Sequence, residues 1–272
     1  MLPEAKYVEI GDGLKIHYHE AGEGFPLVFN HGSGPGASGY SNFKQNMAFF
    51  AERGFRVIVP DTLGYGHSSK PADAMYTLDF MVGGLVKLLD AIGVGQCAVV
   101  GNSMGGAMSM FMALEYPERV TRLVLMAPGG MEPRETYMEM EGIKTMIRAI
   151  FGREGVTRES LRKVFSLQLY DPSQVTEQTL TERLEIAVTQ PKTVTSNMRI
   201  PNLSGRLSEL KIPVLAFWGA DDKFCPVGGA LKIASEVPDA EVMVLSRCGH
   251  WVMVEREELF NSMTLEFLTR DA

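Results

Sequence analysis

Near the middle of the chain an apolar segment runs directly into a Gly-x-Ser-x-Gly motif: residues 97–105 read CAVVGNSMG. The pattern of a helix follows at Met104–Tyr116. Such a motif between a buried strand and a helix is typical of a nucleophile elbow, a sharp turn that strains the serine and holds its hydroxyl above the sheet. The flanking glycines are needed because strand and helix pass too close for a Cβ. We therefore predict Ser103 as a nucleophile and the N–H of Met104 as an oxyanion donor.

This segment belongs to an alternation of strands and helices that extends toward both ends of the chain. Short apolar runs without polar alternation indicate strands that are covered on both faces, as in parallel sheets. The predicted strands are Tyr7–Ile10, Lys15–Glu20, Leu27–Asn30, Arg56–Pro60, Cys97–Gly101, Arg122–Met126, Pro213–Trp218 and Glu241–Leu245. The predicted helices are Ser41–Arg53, Leu78–Ile92, Met104–Tyr116, Gly228–Ser235 and Glu255–Thr269. We predict an α/β fold, a mostly parallel twisted sheet with helices on both faces.

One stretch interrupts the alternation. Between about Glu132 and Gly205 no run has the pattern of a strand, and helical patterns lie at Tyr137–Phe151, Arg158–Leu169 and Gln178–Val188. A helical insertion between two strands of a sheet forms either a lid over the sheet or a separate domain, and this length favours a lid. We predict a core of residues 1–131 and 206–272 and a helical lid of residues 132–205.

A serine hydroxyl needs a base, and the base needs an acid that orients it. His250 follows the last predicted strand and comes after the serine and the acid in chain order, as this arrangement requires. The strand before it ends in residues 219–226, GADDKFCP, where two aspartates compete. The spacing G-x-x-D-x-x-x-P favours Asp222 as the acid. Asp221 is interpreted as a carboxylate that caps the loop, and Glu132 is a distant third candidate for the acid. His17 and His19 are interpreted as ordinary histidines on a strand surface.

A second oxyanion donor is expected in the loop after the strand Leu27–Asn30. The loop reads HGSGPG at residues 31–36, and its glycines let backbone N–H groups approach a substrate oxygen. We predict the N–H of Ser33 as the donor, with Gly32 and Gly34 beside the substrate. His31 is interpreted as an anchor of the loop.

The composition limits the classes of function. Of 272 residues 45% are hydrophobic and 22% charged, which excludes disorder and coiled coils, and the net charge of −7 offers no surface for nucleic acid. Three scattered cysteines form no disulfide framework and favour the cytoplasm. The N-terminus has no signal-peptide pattern, and the longest uncharged run, residues 93–114, is interrupted by glycines and polar residues, so we expect no membrane segment. No cluster has metal-ligand spacing, and we expect neither a metal nor a cofactor.

Along nearly its whole length the chain resembles the α/β-hydrolase superfamily, and more narrowly the meta-cleavage product hydrolases. Four segments carry the resemblance: residues 31–36 followed by SNF at 41–43, GNSMGG at 101–106, WGADD at 218–222 and CGHW at 248–251. The resemblance implies hydrolysis of the carbon–carbon bond of 2-hydroxy-6-oxohexa-2,4-dienoates, a helical lid, and a triad of Ser103, His250 and Asp222. It also implies a homodimer or a larger homo-oligomer.

The resemblance further implies a substrate-binding arginine in the lid, at Arg183. A substrate with a carboxylate and an enol needs a fixed cation in a water-poor pocket. Since Glu182 and Glu185 flank Arg183, the alternative is a solvated helix surface with modest ion pairs. Asn42 and Asn102 would donate amide hydrogen bonds to the substrate, and Trp251 would line its site. Ser33 departs from relatives that have a third glycine there, which adds a hydroxyl.

Three alternatives stay open. The same triad would serve a carboxylesterase or perhydrolase, and the same fold serves as a ligand receptor. Attack on the ketone would come from Ser103 or from water activated by His250.

Of the 17 methionines, several lie in or beside the predicted lid. These are Met131, Met138, Met140, Met146 and Met198. Because methionine adapts to varied apolar shapes, they suggest a wide pocket for a bulky C6 group. Ordinary filling of the hydrophobic core is the alternative.

Overall fold

The computed structural model describes residues 4–270. Its strands are β1 (Ala5–Glu9), β2 (Lys15–Ala21), β3 (Phe25–Asn30), β4 (Phe55–Pro60), β5 (Tyr76–Thr77), β6 (Cys97–Asn102), β7 (Val120–Met126), β8 (Met198–Arg199), β9 (Val214–Gly219) and β10 (Ala240–Leu245). Eight of them form one sheet in the order β1-β2-β4-β3-β6-β7-β9-β10, in which only the pairs of β2 with β1 and with β4 are antiparallel. The prediction of a mostly parallel sheet is confirmed.

The central strands are mostly apolar because both of their faces are covered. Neighbouring side chains in a strand point to opposite faces, and in β3 Val28 joins one hydrophobic core while Leu27 and Phe29 join the other. All six residues of β6 are buried. The positions of the edge strand β10 are exposed or half-buried instead.

Helices cover both faces of the sheet. The helices are α1 (Gly39–Ala51), α2 (Leu78–Ala91), α3 (Met104–Glu115), α4 (Arg134–Glu139), α5 (Glu141–Phe151), α6 (Arg158–Gln168), α7 (Glu177–Ala187), α8 (Lys192–Ser196), α9 (Gly228–Glu236), α10 (Val252–Glu255) and α11 (Glu257–Thr269). Leu85 of α2, Met108 of α3 and Ile233 of α9 lie in one core. Phe43 of α1 and Phe260 of α11 lie in the other. Among the described residues no helix is long and apolar enough to cross a membrane.

The segment 132–205 consists of helices and loops with one short strand, which corrects the expectation that it contains no strand. Met198–Arg199 forms β8, which pairs in parallel with Tyr76–Thr77 and so ties the end of the segment to the entry of α2. The predicted helix Tyr137–Phe151 is two helices, because Met140 adopts an extended conformation (φ −67°, ψ 133°) between α4 and α5. Phe165 and Leu180 of this segment belong to the same core as α1 and α11, so these helices pack against the core of the sheet.

Candidate active site

Ser103 stands at the sharp turn between β6 and α3. Its backbone has φ 57° and ψ −117°, a conformation that residues other than glycine rarely adopt. A Cβ on Gly101 would lie 2.4 Å from the carbonyl oxygen of Gly105, and a Cβ on Gly105 would lie 2.0 Å from that of Asn30. The turn therefore requires glycine at both positions, as the motif suggested. The tight packing around the turn holds Ser103 in its strained backbone conformation.

Two backbone segments lie beside Ser103 where an oxyanion would form. Met104 opens α3, and N–H groups in the first turn of a helix have no acceptor within the helix. The loop after β3 approaches from the other side, since a Cβ on Gly32 would lie 3.2 Å from the Cβ of Ser103. Ser33, Ser103 and Met104 line one cavity together. Gly34 has φ 139°, a conformation that favours glycine.

His250 is paired with Asp222 and not with either alternative acid. His250 Nδ1 lies 2.7 Å from Asp222 Oδ2, and both side chains are buried. The second oxygen, Asp222 Oδ1, accepts hydrogen bonds from the N–H groups of Phe224 (2.7 Å) and Cys225 (2.9 Å), which fix the carboxylate. With Nδ1–H directed to the carboxylate, Nε2 keeps a lone pair for a proton. Glu132 instead forms an ion pair with Lys232 at 2.7 Å.

Cys225 forms a hydrogen bond with the side chain of Ser103. Cys225 is a residue of the site that was not predicted from the sequence. Burial raises the pKa of its thiol well above the usual range, and a hydrogen bond with the Ser103 side chain opposes that shift. Among residues 4–270 the His250 ring forms its hydrogen bond with Asp222, and no hydrogen bond joins it to Ser103 Oγ. The position of Cys225, three residues after Asp222 in the same loop, was the available signal.

Asn102 holds the loop of His250 through its side chain. Its Nδ2 donates to the carbonyl oxygens of Met126 and His250, both at 3.3 Å. Within residues 4–270 its Oδ1 has no hydrogen-bond partner. The amide nitrogen is therefore engaged with the backbone, and direct donation from Asn102 to a substrate stays a prediction.

The other histidines have structural partners. His31 is fully buried, and its Nδ1 lies 2.8 Å from the carbonyl oxygen of Gly32, while Nε2 accepts from the N–H of Thr62 at 3.0 Å. Burial lowers its pKa to about 4, so it is neutral at pH 7 and anchors the loop as interpreted. The interpretation of His17 as a surface histidine is wrong: it is buried, with Nδ1 2.8 Å from Asp61 Oδ2.

Arg183 is buried among aromatic rings and is not on a solvated helix surface. Only 1% of the residue is exposed. Its guanidinium lies 5.3 Å from the ring centroid of Trp251 and 5.4 Å from that of Phe165. Its Nη2 donates to Asn42 Oδ1 at 2.5 Å, while Nε has no partner among the described residues. Burial lowers the pKa of Arg183 to about 9, so the charge persists at pH 7.

One loop connects this arginine with Ser103. Gly32 lies against Ser103, and at the other end of the loop a Cβ on Gly36 would lie 1.8 Å from the carbonyl oxygen of Arg183. The loop of residues 31–36 therefore contacts both the turn that holds Ser103 and the backbone of the helix that carries Arg183.

A cavity of about 560 Å³ opens in front of Ser103. The segment 132–205 contributes mostly apolar side chains to its wall: Tyr137, Met138, Ile143, Met146, Ile147, Met198, Ile200 and Pro201. Asn42 and Trp251 line a second cavity of about 350 Å³ between α1 and the segment, and both contact Arg183. In the described part of the chain no group of three or more His, Cys, Asp or Glu could hold a metal ion.

The sequence and the fold both match known hydrolases. The model of the alpha/beta hydrolase fold family matches residues 26–257. A 2-hydroxy-6-oxononadienedioate/2-hydroxy-6-oxononatrienedioate hydrolase of Burkholderia vietnamiensis is 40% identical, over 98% of this chain and 96% of that protein. A 2-hydroxy-6-oxo-6-phenylhexa-2,4-dienoate hydrolase of Comamonas testosteroni is 37% identical, over 93% of this chain and 91% of that protein.

Solved structures of hydrolases also superpose on this chain. A meta-cleavage product hydrolase from Pseudomonas fluorescens IP01 superposes with a TM-score of 0.84 at 29% identity, over 97% of each chain. A 2-hydroxy-6-oxo-6-phenylhexa-2,4-dienoate hydrolase from Rhodococcus sp. strain RHA1 gives a TM-score of 0.87 at 26% identity, over 98% of this chain and 99% of that one. By family model, sequence identity and fold, the chain belongs to the alpha/beta hydrolase fold family and, within it, to the meta-cleavage product hydrolases.

Proposed function

We propose that this protein is a serine-dependent hydrolase that cleaves a 2-hydroxy-6-oxohexa-2,4-dienoate to 2-hydroxypenta-2,4-dienoate and a carboxylic acid. The observation that carries the proposal is the buried guanidinium of Arg183, whose Nε donor has no partner among the described residues and whose backbone contacts the loop that reaches Ser103. A buried cation without a carboxylate partner is costly unless a ligand supplies the charge. A plain esterase has no use for such a group, whereas a dienoate brings its own carboxylate.

The first stage of the proposed reaction is ketonisation. The substrate carboxylate lies against Arg183 and Asn42, which also stabilise the negative charge that develops when the proton leaves the C2 hydroxyl. A proton is added at C5, and the product is a 2,6-dioxohex-3-enoate with an electrophilic ketone at C6. Fixed donors in a water-poor site stabilise such charge more strongly than water does.

The second stage is cleavage of the bond between C5 and C6. His250, oriented by Asp222, takes the proton of Ser103 while Oγ attacks C6, and the oxyanion lies against the N–H groups of Met104 and Ser33. The C5–C6 electron pair leaves as the dienolate of 2-hydroxypenta-2,4-dienoate, and water then hydrolyses the acyl-serine. In the variant route, water activated by His250 attacks C6 directly and gives a gem-diolate.

We propose that the C6 substituent occupies the 560 Å³ cavity in front of Ser103. Met138, Met146 and Met198 line that cavity, which supports a wide, adaptable apolar site. Met131 is buried in the core outside the wall, so ordinary core filling accounts for it. The segment 132–205 acts as the lid in this proposal, and residues 1–131 and 206–272 act as the core.

We also propose that the enzyme works in the cytoplasm, as a homodimer or a larger homo-oligomer. Support for the compartment is that all three cysteines are free and buried. Support for assembly is the family resemblance alone. Size-exclusion chromatography with light scattering checks the assembly, and a monomeric mass at micromolar concentration would contradict it.

The proposed function is tested by comparing two substrate classes on one enzyme preparation. Stopped-flow absorbance follows loss of a yellow C6-phenyl or C6-alkyl dienoate, and chromatography identifies 2-hydroxypenta-2,4-dienoate. We expect kcat/KM on dienoates to exceed that on p-nitrophenyl esters. Turnover of esters far above that of dienoates would make this protein a carboxylesterase instead.

A further inference from the structure

The loop that carries His250 is attached to the segment 132–205 by its backbone. The carbonyl oxygen of Gln168, the last residue of α6, accepts hydrogen bonds from the N–H groups of His250 (2.7 Å) and Trp251 (3.3 Å). The approach is close, because a Cβ on Gly249 would lie 2.5 Å from that same oxygen. The position of the imidazole is therefore set by a residue of the proposed lid as well as by the core of the protein.

One carboxylate completes this junction. Glu255 ends α10, five positions after His250 in the chain, and is half-buried. Its Oε2 accepts a hydrogen bond from the N–H of Gly249 at 2.5 Å. Its Oε1 accepts from the N–H groups of Tyr170 (2.6 Å) and Asp171 (3.3 Å), directly after α6. A single side chain thus joins the residue before His250 to the segment that follows α6.

Such a contact has consequences for proton transfer. Hydrogen bonds from backbone N–H groups to a carboxylate are shorter and stronger than those to a neutral acceptor. A general base must stay within about 3 Å of the hydroxyl it deprotonates, and small displacements reduce the rate steeply. Asp222 fixes one edge of the His250 ring, whereas the Glu255 junction fixes the backbone from which the ring extends.

We propose that Glu255 is a positioning residue that locks the His250 loop to residues 168–171 and so couples the placement of the lid to the activity of the base. The inference rests on the proposed role of His250 as the base. Glu255 does not line the cavity in front of Ser103. It acts through Gly249 on one side and through Tyr170 and Asp171 on the other.

The test measures the reactivity of Ser103 apart from the natural substrate. A fluorophosphonate probe reacts with an activated serine, forming the P–O bond and releasing fluoride, and its rate depends on the base but not on dienoate chemistry. Glu255→Gln keeps the size of the side chain but turns one acceptor into an NH₂ group that faces a backbone N–H. We expect labelling to slow by about tenfold or more and amide exchange at residues 168–171 and 249–251 to accelerate.

The matched control is Glu258→Gln on α11, an exposed glutamate close in sequence, which we expect to label at the wild-type rate. Glu255→Asp keeps the charge but is one methylene shorter, so it should fall between wild type and Glu255→Gln. It also keeps the test informative should Glu255→Gln fail to show cooperative thermal unfolding.

Two outcomes would overturn the inference, and they are distinguishable. If the folded Glu255 variants label as fast as wild type with unchanged amide exchange while His250→Ala is slow, the Glu255 junction does not position the base. If His250→Ala also labels at the wild-type rate, the proposed base is wrong and the role of Glu255 falls with it.

Discussion

The orientation of His250 depends on the contact between its Nδ1 and Asp222 Oδ2. We expect Asp222→Asn to lower kcat by about 10³–10⁴-fold, because an amide neither selects the Nδ1–H tautomer nor stabilises the imidazolium that forms. Steady-state decay of dienoate absorbance measures this. Asp221→Asn is the control and should leave kcat nearly unchanged, since Asp222 makes the contact with the imidazole. Equal losses in both variants would contradict the assignment of the acid.

Arg183 distinguishes a dienoate hydrolase from an esterase at the level of one side chain. Arg183→Met keeps the length of the apolar stem and removes the cation. We expect kcat/KM for a dienoate to fall by about 10²-fold, the scale of a lost charged hydrogen bond, while turnover of a p-nitrophenyl ester persists. Arg148→Met, at an exposed position on α5, is the control. Parallel losses on both substrates would instead indicate a structural role for Arg183.

The depressed pKa of His31 makes stability depend on pH. Burial lowers this pKa from 6.5 to about 4, so the neutral form is favoured in the folded state and the unfolded state binds the proton first as pH falls. Stability that is fully present above about pH 6.5 is lost progressively down to about pH 4. Between about pH 7.5 and 5, urea unfolding should show that wild type loses about 2 kcal/mol more than His31→Gln. An identical pH dependence in the two proteins would contradict a buried, neutral His31.

At the scale of elements, the turn between β6 and α3 is the most tightly packed connection near the site. Gly105→Ala would place a Cβ 2.0 Å from the carbonyl oxygen of Asn30, so strand or helix must shift. We expect a loss of about 1–3 kcal/mol in the free energy of unfolding, together with loss of activity. Gly83→Ala in α2, where a Cβ meets nothing within 4 Å, should be neutral or slightly stabilising. Urea denaturation of both variants decides, and a neutral Gly105→Ala would contradict the packing described.

The regular elements were predictable because their burial leaves a periodic record in the sequence. Strands such as β6 and β9 are buried at every position and mostly apolar, and their observed bounds lie within two residues of those predicted. The pair of β5 and β8 was not predictable, since two-residue strands have no period to detect. The break between α4 and α5 at Met140 was missed because the one local signal, Gly142 two residues later, lies inside an otherwise helical pattern.

At the scale of the whole molecule, the candidate residues could be predicted from residue type and chain order. The side chains and backbone groups that each of them contacts became known only from the fold. Order and spacing identified Asp222 ahead of Asp221, and the structure places Asp222 against His250. Nothing in the local sequence separates a buried Arg183 from a solvated one, because its burial depends on Trp251 and Phe165, which are distant in the chain. The same holds for Glu255, whose three N–H partners come from two separate segments.

The central claim is that Arg183 and Ser103 act on opposite ends of one dienoate. The most direct measurement is a crystal structure of Ser103→Ala with a dienoate bound. We expect the substrate carboxylate within hydrogen-bond distance of Arg183, the C6 carbonyl oxygen against the N–H of Met104, and the C6 substituent in the cavity lined by Met138 and Met146. A dienoate bound with its carboxylate away from Arg183, or with C6 out of reach of position 103, would contradict it.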